Sequence, residues 1–470
     1  MPSTADASTG GNAGDDGDDG DGGDSSTTWD SVSLSRRQLL GVSGGALALG
    51  GGAGYVLGAR PFEPPACDAS PLSAEVDEWP FPNHDRRHTS AAPARAAPDT
   101  FDERWHVEWD GGVDKYGTPT VANDRVFVAT ESVIGTTIHV LDHQTGQERW
   151  QRSFPDVFDA KAPVAAGDTV YYLTNTDENG LTLFALAVSD GRVRWIHSVE
   201  EYHSYAPPLI PSEGVAIRDD VAVETDASRL YALDVRTGEQ CWETILDEDG
   251  LSPLPAAADG RVYFASRGTS PDDEPIPGTL FELDPETGET TWRTEIPHGV
   301  DGPPVLGDGV AYLAMFNGPL VAVSLDTGEE VWRDEQTKLF GEGEAGRKYA
   351  QPSYELGALT SDALVATLNA YTDASERIRA FDPETGEMLW ERIAERDVRW
   401  FTTPTAAGTD AFVAEHRGDD DVSNRLLRLD ARTGAVRETF TFESGVRHPP
   451  VFADGSAVFA TGDGIRMFRD

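Results

Sequence analysis

The chain has 470 residues, and its 82 acidic and 37 basic side chains give a formal net charge of −45. Four of the basic residues are lysines, Lys115, Lys161, Lys338 and Lys348. So acidic a chain disfavours nucleic acid and anionic lipid surfaces as partners, because phosphate binding normally needs a basic patch. The two cysteines, Cys67 and Cys241, are far apart in the sequence and predict no disulfide framework.

The N-terminal 99 residues divide into three parts by composition. Residues 1–34 are rich in Gly and Asp and poor in apolar side chains, so we expect an acidic disordered tail. Residues 35–59 start with Ser-Arg-Arg-Gln-Leu-Leu and continue as a Gly-rich apolar run of about 20 residues, long enough to span a bilayer. Arg36 and Arg37 resemble the pair of a twin-arginine export signal, which predicts an extracytoplasmic protein attached to the cell membrane. The segment is either a cleaved signal or a retained anchor.

Residues 60–99 are expected to be a linker and a lead-in to the following domain. Cys67 lies within them, and lipidation is one possible role for it. Pro64 and Pro65 spoil the small and apolar residues that a lipid attachment site needs before its cysteine. Cys241 lies beside Trp242, where a small buried hydrophobic residue is expected.

From residue 100 onward one turn motif recurs, as in Leu283–Trp292 (LDPETGETTW) and Phe381–Trp390 (FDPETGEMLW). Gly accepts a positive φ in this turn, and the Asp and Thr side chains can bond to nearby backbone amides. We expect the Trp to pack one repeat on the next, and Glu438 replaces it in the penultimate repeat. The motif glycines are Gly146, Gly191, Gly238, Gly288, Gly328, Gly386 and Gly434, and the motif tryptophans are Trp105, Trp150, Trp195, Trp242, Trp292, Trp332 and Trp390.

Each repeat opens with a proline followed by two apolar runs that flank a Gly or Asp turn, a pattern typical of paired strands. Eight openings occur but only seven turn motifs follow them, and the last repeat stops one strand short at Asp470. The segment Thr100–Trp109 (TFDERWHVEW) matches the missing strand, with Trp105 at the Trp position. We therefore predict an all-β fold over residues 100–470, an eight-bladed β-propeller of four-stranded blades. Its ring is closed by the N-terminal strand around Trp105, which completes the C-terminal blade.

The D-x-x-T-G-x-x-x-W motif resembles the PQQ-like (pyrroloquinoline-quinone-type) β-propeller repeat family, and the match covers nearly everything after Trp79. The acidic, Arg-rich and Lys-poor composition resembles that of proteins from salt-adapted archaea. Quinoprotein dehydrogenases of this fold hold the quinone with an adjacent Cys-Cys disulfide, a stacking Trp and a calcium ion. This chain has no Cys-Cys pair and no haem attachment motif, so neither PQQ nor calcium is expected. No motif indicates a catalytic residue or a metal site.

One constellation points to binding. The segments between the Trp of one blade and the Pro of the next lead into the innermost strands and are expected at one mouth of the central channel. They could form an electropositive funnel for an anionic or aromatic ligand. In the alternative interpretation, the cations pair with carboxylates such as Asp114 and Asp159. The candidate residues are Lys115, Tyr116, Lys161, His203, Tyr205, Lys348, Tyr349, Arg399, Trp400, Arg447 and His448.

The sequence therefore favours a non-catalytic, exported or membrane-tethered propeller that acts as a binding scaffold for an unknown protein partner or an anionic small ligand. It is similar in fold to the propeller lipoprotein of the bacterial outer-membrane barrel-assembly machinery, a protein-binding platform. The alternative is a quinone-dependent oxidoreductase or a solute-binding subunit that uses the central funnel. Fold resemblance alone does not choose between them, because function depends on the site.

Overall fold

The computed structural model describes residues 78–470 with gaps at 110–111, 156, 159, 177–179, 201–214, 222–227, 247–253, 267–276, 316–317, 335–352, 370–375, 396–397, 418–423 and 443. Within these residues the secondary structure consists of short β-strands and a single 3₁₀ turn at Ala94–Ala96. The tail, the export segment with Arg36 and Arg37, and Cys67 lie outside the described residues.

The strands are numbered in chain order. The first are β1 (Ala91–Ala92), β2 (Asp102–Val107), β3 (Val113–Tyr116), β4 (Thr120–Ala122), β5 (Arg125–Ser132), β6 (Gly135–Asp142), β7 (Glu148–Pro155), β8 (Val164–Ala166), β9 (Thr169–Thr176), β10 (Gly180–Ala187) and β11 (Val193–Glu200). The middle of the chain has β12 (Val215–Val221), β13 (Ser228–Asp234), β14 (Gln240–Leu246), β15 (Ala256–Ala258), β16 (Arg261–Ala265), β17 (Gly278–Leu283), β18 (Thr290–Ile296), β19 (Val305–Leu306), β20 (Val310–Ala314), β21 (Leu320–Ser324) and β22 (Glu330–Arg333). The last are β23 (Ser353–Leu359), β24 (Leu364–Asn369), β25 (Arg377–Phe381), β26 (Met388–Ile393), β27 (Val398–Phe401), β28 (Thr405–Ala407), β29 (Asp410–Arg417), β30 (Asn424–Asp430), β31 (Val436–Phe442), β32 (Val451–Ala453), β33 (Ser456–Thr461) and β34 (Gly464–Arg469).

These strands form a succession of separate antiparallel sheets, most of them of four strands that follow one another along the chain. Four of the sheets are β8–β11, β15–β18, β19–β22 and β23–β26, and β12–β14 form a sheet of three described strands. In the sheet of β4–β7, β3 also pairs with β5, and in the sheet of β28–β31, β1 and β27 add to the inner strands. This all-β repetition of four-stranded sheets is the architecture of a β-propeller.

Burial shows which strand of each sheet faces inward. The first strand is short and entirely buried, as in β4, β8, β28 and β32. The fourth strand alternates between exposed and partly buried residues, as in β7 and β18. The core therefore lies between the sheets and toward the innermost strands, and the fourth strands form the outer wall.

The two ends of the described chain meet in one sheet. Strand β2 pairs antiparallel with β34, with Trp105 opposite Met467, and β33 and β32 follow inward. The backbone N–H of Thr100 also donates to a carboxylate oxygen of Asp470 at 2.7 Å. The sequence predicted this position for the strand around Trp105. The prediction was possible because the motif is local and remains recognisable although this strand lies at the opposite end of the chain from the rest of its sheet.

The repeated turn brings a glycine against the tryptophan of the preceding sheet. In the sheet of β4–β7, Gly146 has a φ of 69°, and a Cβ added there would lie 2.8 Å from the Trp105 ring. The Trp105 indole N–H donates to His143 O at 2.9 Å, while the Asp142 carboxylate accepts the Thr145 amide at 3.0 Å. Glycine is required here both by the backbone conformation and by the ring that covers it.

The same contact between neighbouring sheets recurs along the chain. The further pairs are Trp150 with Gly191, Trp195 with Gly238, Trp242 with Gly288, Trp332 with Gly386 and Trp390 with Gly434. One motif differs, because the Trp292 indole donates to Glu282 within its own sheet and Thr294 covers Gly328 instead.

The lead-in forms a belt along the innermost strands, which the sequence did not indicate. We call residues 78–97 the lead-in belt. Its backbone carbonyls accept hydrogen bonds of 2.8–3.0 Å from the innermost strands of successive sheets. The donors are the amides of Val121, Ala165, Ala257, Leu306, Leu359 and Ala406, and the acceptors are the carbonyls of Trp79, Pro80, Arg86, Arg87, Thr89 and Ser90. Trp79 at its start is completely buried. The belt therefore ties the sheets together at one end of their innermost strands.

Cys241 corrects one expectation from the sequence. It is buried, as predicted, but it is also disulfide-bonded. Cys67, the only other cysteine of the chain, lies outside the described residues.

Candidate functional site

The candidate residues belong to the segments that join the outermost strand of one sheet to the innermost strand of the next. We call the surface made by these segments and by the hairpins between second and third strands the connecting face. Several segments extend the inner edge of a sheet by pairing with its second strand. Strand β3 pairs with β5, β27 pairs with β29, and Val446 bridges to Thr461. The side chains on these segments are therefore held on short strands.

The structure describes seven of the eleven candidate residues. Lys115 and Tyr116 lie on β3, Lys161 precedes β8, Arg399 and Trp400 lie on β27, and Arg447 and His448 precede β32. The remaining candidates, His203, Tyr205, Lys348 and Tyr349, lie outside the described residues.

Lys115 forms an ion pair. Its Nζ lies 2.9 Å from Glu131 Oε1, across the β3–β5 ladder. The Lys115 side chain stays largely exposed, so the pair contributes little stability, about 0–1 kcal/mol. The arrangement resembles the paired alternative considered from the sequence, although the partner is Glu131 and not Asp114. Lys161 is half-buried and also has an interaction partner.

His448 joins two neighbouring sheets instead of presenting a charge. Its Nε2 lies 2.7 Å from Tyr116 O, and its Nδ1 lies 3.2 Å from Thr118 Oγ1. These partners suit a neutral ring that donates from Nε2 and accepts at Nδ1. Burial lowers the pKa of His448, and the nearby Arg447 charge acts in the same direction. At neutral pH we therefore assign no charge to His448, and Tyr116 beside it is buried.

Trp400 stacks on a histidine that the sequence analysis did not select. The rings of Trp400 and His416 are nearly parallel, with centroids 3.3 Å apart and an interplanar angle of 9°. The two residues face each other in the β27–β29 pairing. Burial lowers the pKa of His416 to about 4, so this ring is neutral at pH 7. Trp400 remains 41% exposed.

Arg447 lies close to both histidines. It is exposed, and its positive charge lowers the pKa of His416 and of His448, in each case less than burial does. The structure shows no ion pair between Arg447 and any carboxylate of the described residues.

The carboxylates in this sector are largely engaged. Glu415 is buried and accepts hydrogen bonds from Arg417 at 2.9 Å and Arg425 at 2.5 Å. Glu395 pairs with Arg417 at 2.7 Å. Glu376 accepts the backbone N–H of Phe401 at 3.1 Å. Burial, with a smaller contribution from the negative charge of Glu355, raises the pKa of Glu376 to about 7.

An exposed apolar patch lies on the same face. Val133 and Ile134, at the tip of the β5–β6 hairpin, are 78% and 76% exposed, and Phe158 after β7 is 56% exposed. The Thr136 hydroxyl donates to Val157 O at 2.8 Å and holds the two segments side by side. We call Val133, Ile134 and Phe158 the apolar patch. These residues were not singled out from the sequence, because their exposure depends on where the hairpin and the segment after β7 lie in the fold.

The described residues offer no group of three or more His, Cys, Asp or Glu side chains placed to hold a metal ion. Across that same part of the chain, no helix combines the length and the hydropathy needed to cross a bilayer.

Comparison with known proteins places these features in a family context. A family model described as outer membrane protein assembly factor BamB matches residues 94–251, 226–368 and 374–469. The BamB of Shewanella oneidensis is 26% identical over 410 residues, which cover 81% of this chain and 90% of that protein.

Solved structures show the same fold. The crystal structure of BamB from Moraxella catarrhalis has a TM-score of 0.54 at 19% identity and covers 79% of this chain and 98% of its own. A quinohemoprotein alcohol dehydrogenase from Comamonas testosteroni has a TM-score of 0.63 at 15% identity, with 83% of this chain and 80% of that chain covered. At such identities these two structures carry information on the fold alone.

Proposed function

Since the chain belongs to the family described as outer membrane protein assembly factor BamB, we propose that it is a non-catalytic scaffold that binds a partner protein through its connecting face. Its relatives are named as outer membrane protein assembly factors, and an assembly factor must expose a surface that a partner can cover. The proposal needs neither PQQ nor calcium. We also propose that the protein is adapted to high salt, as its composition favours. From residues 35–59 we propose that it is exported by the twin-arginine route and attached to the outer side of the cell membrane.

The observation that carries the proposal is the apolar patch. Val133, Ile134 and Phe158 come from two segments that the Thr136–Val157 hydrogen bond holds together, and all three side chains are more than half exposed. Adjacent exposed apolar side chains on a soluble domain mark a surface that is covered by a partner. Trp400 and exposed arginines lie on the same face, and Trp and Arg are enriched where interfaces gain most of their affinity.

We further propose that the sheets form a closed ring of eight blades. The pairing of β2 with β34 supports closure, as does the packing of β32 against β4. The Trp105 ring on Gly146 provides the same contact between the last and first sheets as the other tryptophans provide within the chain. A closed ring would leave the two rims as the surfaces on which blades differ most.

The test is partner binding by a patch variant. The partner recovered from the native membrane fraction is purified and its affinity for the full chain is measured. The triple variant Val133→Ser, Ile134→Ser, Phe158→Ser should bind it about 30-fold or more weakly, because such anchors contribute about 2 kcal/mol or more. The matched control, Ile393→Ser with Val436→Ser, removes exposed apolar side chains from the outer strands and should bind like the wild type. Equal weakening by both variants would contradict a specific patch.

The oxidoreductase alternative has its own readout. The purified chain is mixed with pyrroloquinoline quinone and calcium in high salt, and its absorption spectrum and dye-reducing activity on alcohols and sugars are recorded. The scaffold proposal expects no bound chromophore and no dye reduction. A quinone spectrum that persists through gel filtration, together with substrate-dependent dye reduction, would replace the scaffold by the enzyme.

A further inference from the structure

The connecting face contains an exposed aromatic surface on blade strands β27 and β29. We call Trp400 and His416 the aromatic platform. His416 covers one side of the indole at a centroid distance of 3.3 Å, and 41% of Trp400 is exposed. Of the tryptophans that the structure describes, Trp400 alone falls among the exposed large hydrophobic residues. An indole stacked on one side and exposed on the other presents a flat surface to an incoming group.

A cation borders this platform. Arg447 is exposed and close enough to His416 for its charge to be felt there. Arg399, also exposed, precedes Trp400 on β27. The nearby carboxylates of Glu415 and Glu395 already accept salt bridges from Arg417 and Arg425. Asp463, which follows Gly462 beside Arg447, pairs with Arg466 at 2.8 Å. These three carboxylates therefore do little to neutralise Arg447, although the whole chain carries a net charge of −45.

The shape of the site favours an extended polypeptide over a small molecule. Strand β27 is short, lies at the inner edge of its sheet and pairs with β29 on one side. Trp400 and Arg399 lie on its exposed surface and do not line an enclosed cavity, whereas small ligands are usually bound in concave pockets. An extended segment can place one side chain on the indole and another beside a neighbouring cation.

Given the scaffold function proposed above, we propose that the aromatic platform and Arg447 dock an acidic segment of the partner that carries an aromatic side chain. The aromatic ring packs on the exposed side of Trp400, and a carboxylate pairs with the Arg447 guanidinium. Charge complementarity selects the acidic segment, because Arg447 has no carboxylate partner among the described residues. The apolar patch and the platform are then two contacts on one face.

The first test uses a fluorescein-labelled peptide of six Asp-Tyr repeats and the purified full chain, with binding followed by fluorescence anisotropy. Trp400→Ala should weaken binding about tenfold or more, and Arg447→Gln about fivefold, since hot-spot truncations cost more than about 1 kcal/mol. Arg447→Lys should retain most of the affinity, and Arg447→Gln should reduce its dependence on salt. Arg192→Gln, at an exposed arginine of a repeat turn on the other rim, is the matched control and should bind like the wild type.

The peptide is varied in parallel to separate the two contacts. A six-repeat Asn-Tyr peptide should lose the effect of Arg447→Gln, and a six-repeat Asp-Ser peptide should lose the effect of Trp400→Ala. Thermal unfolding of each variant shows whether the fold is kept, and Arg447→Gln provides a binding test without any change in packing. Unchanged peptide affinity in both variants would overturn the proposal, as would equal binding of the Asn-Tyr and Asp-Tyr peptides.

Three further outcomes are decisive. If pyrroloquinoline quinone displaces the Asp-Tyr peptide and binds the wild type more tightly than Trp400→Ala, the platform is a small-molecule site and the peptide proposal is overturned. If the purified partner binds the platform variants as well as the wild type but loses affinity for the apolar-patch variant, the scaffold function stands and the platform proposal falls. If no partner binds either surface, both proposals fail.

Discussion

The two ends of the sheets are built from the same repeat but differ in the side chains that they expose, and we call these ends the two rims. At one rim the turns between first and second strands carry exposed aspartates, and the lead-in belt lies along the adjoining strands. Arg87 of the belt pairs with Asp308 and Asp259 from two sheets, at 3.2 Å and 3.5 Å. At the connecting face the same sheets leave Trp400, Arg447 and the apolar patch exposed.

The difference shows where function is expected. The belt satisfies backbone amides of the innermost strands and buries Trp79 completely, so it belongs to the fold. The connecting face instead exposes apolar side chains that folding alone does not require. Substitutions in the belt should therefore change stability and spare binding, while substitutions on the connecting face should do the reverse.

Trp79→Ala is expected to have the largest effect on stability. Trp79 is fully buried, and its ring lies against His84 and Phe452 with centroids 4.8 Å and 6.3 Å away. Loss of a buried aromatic ring costs about 3–5 kcal/mol. Denaturant unfolding should show this loss, while the folded fraction keeps its affinity for the partner. Trp400→Ala is the comparison and should lose under about 1 kcal/mol. Equal destabilisation by the two changes would remove the distinction between the rims.

Gly146→Ala tests the contact between neighbouring sheets. The new methyl group would meet the Trp105 ring at 2.8 Å in a backbone of positive φ, so we expect a cost of about 2–4 kcal/mol. Gly455→Ala has the same φ of 69°, but its nearest atom is 3.9 Å away. It should cost only the conformational part, about 1 kcal/mol. The difference between the two midpoints of unfolding isolates the Trp105 contact, and equal costs would refute its importance.

His88→Ala should destabilise the belt by about 1–3 kcal/mol, because the ring is buried and bonds to Pro255 O at 2.7 Å. Burial lowers the pKa of His88 below the ordinary 6.5. The contribution of the buried neutral ring to stability is therefore fully present above pH 6.5, where the unfolded chain also carries a neutral His88. This contribution is lost as the pH falls below 6.5, because the unfolded histidine then binds a proton that the folded one does not. The free energy of unfolding of His88→Ala should therefore fall less steeply with acid than that of the wild type.

Glu376→Gln should give the opposite pH dependence and the smallest change. The folded Glu376 has a raised pKa of about 7 against an ordinary 4.5, so it holds a proton that the unfolded chain has released. The free energy of unfolding then decreases as the pH rises from about 4.5 to 7. Glu376→Gln should remove this decrease. Glu355→Gln removes the neighbouring negative charge and should lower the pKa of the folded Glu376. The decrease in the free energy of unfolding should then end at a lower pH than in the wild type. An unchanged slope in Glu376→Gln would show that this carboxyl titrates normally.

The sequence was sufficient for the repeating parts of the fold. The Gly and Trp positions of the turn and the strand around Trp105 follow from local patterns that each repeat restates. The lead-in belt does not, because backbone carbonyls such as those of Pro80 and Arg86 make its contacts and leave no side-chain signature. The sequence also predicted a plain buried thiol at Cys241, where the structure has a disulfide-bonded residue.

The sequence indicated where the candidate residues lie better than it indicated what their side chains contact. The pattern of Trp and Pro positions predicted that Trp400 and Arg447 lie on one face. In the structure both residues lie on segments that lead into innermost strands, β28 and β32. The pattern could not show that Lys115 pairs with Glu131 or that His448 is half-buried and neutral, because both depend on groups from another strand or sheet. Ile134 was not singled out from the sequence, and its exposure at the tip of a hairpin follows only from the fold.

The most direct test of the central claim is site-specific photo-cross-linking on the two rims. A photoreactive phenylalanine analogue replaces either Ile134 on the connecting face or Asp308 in an exposed turn beside the belt, and the native membrane fraction is irradiated. We predict one defined protein adduct from position 134, competed by the purified unlabelled chain, and no adduct from position 308. An adduct from position 308 with none from position 134 would contradict the account.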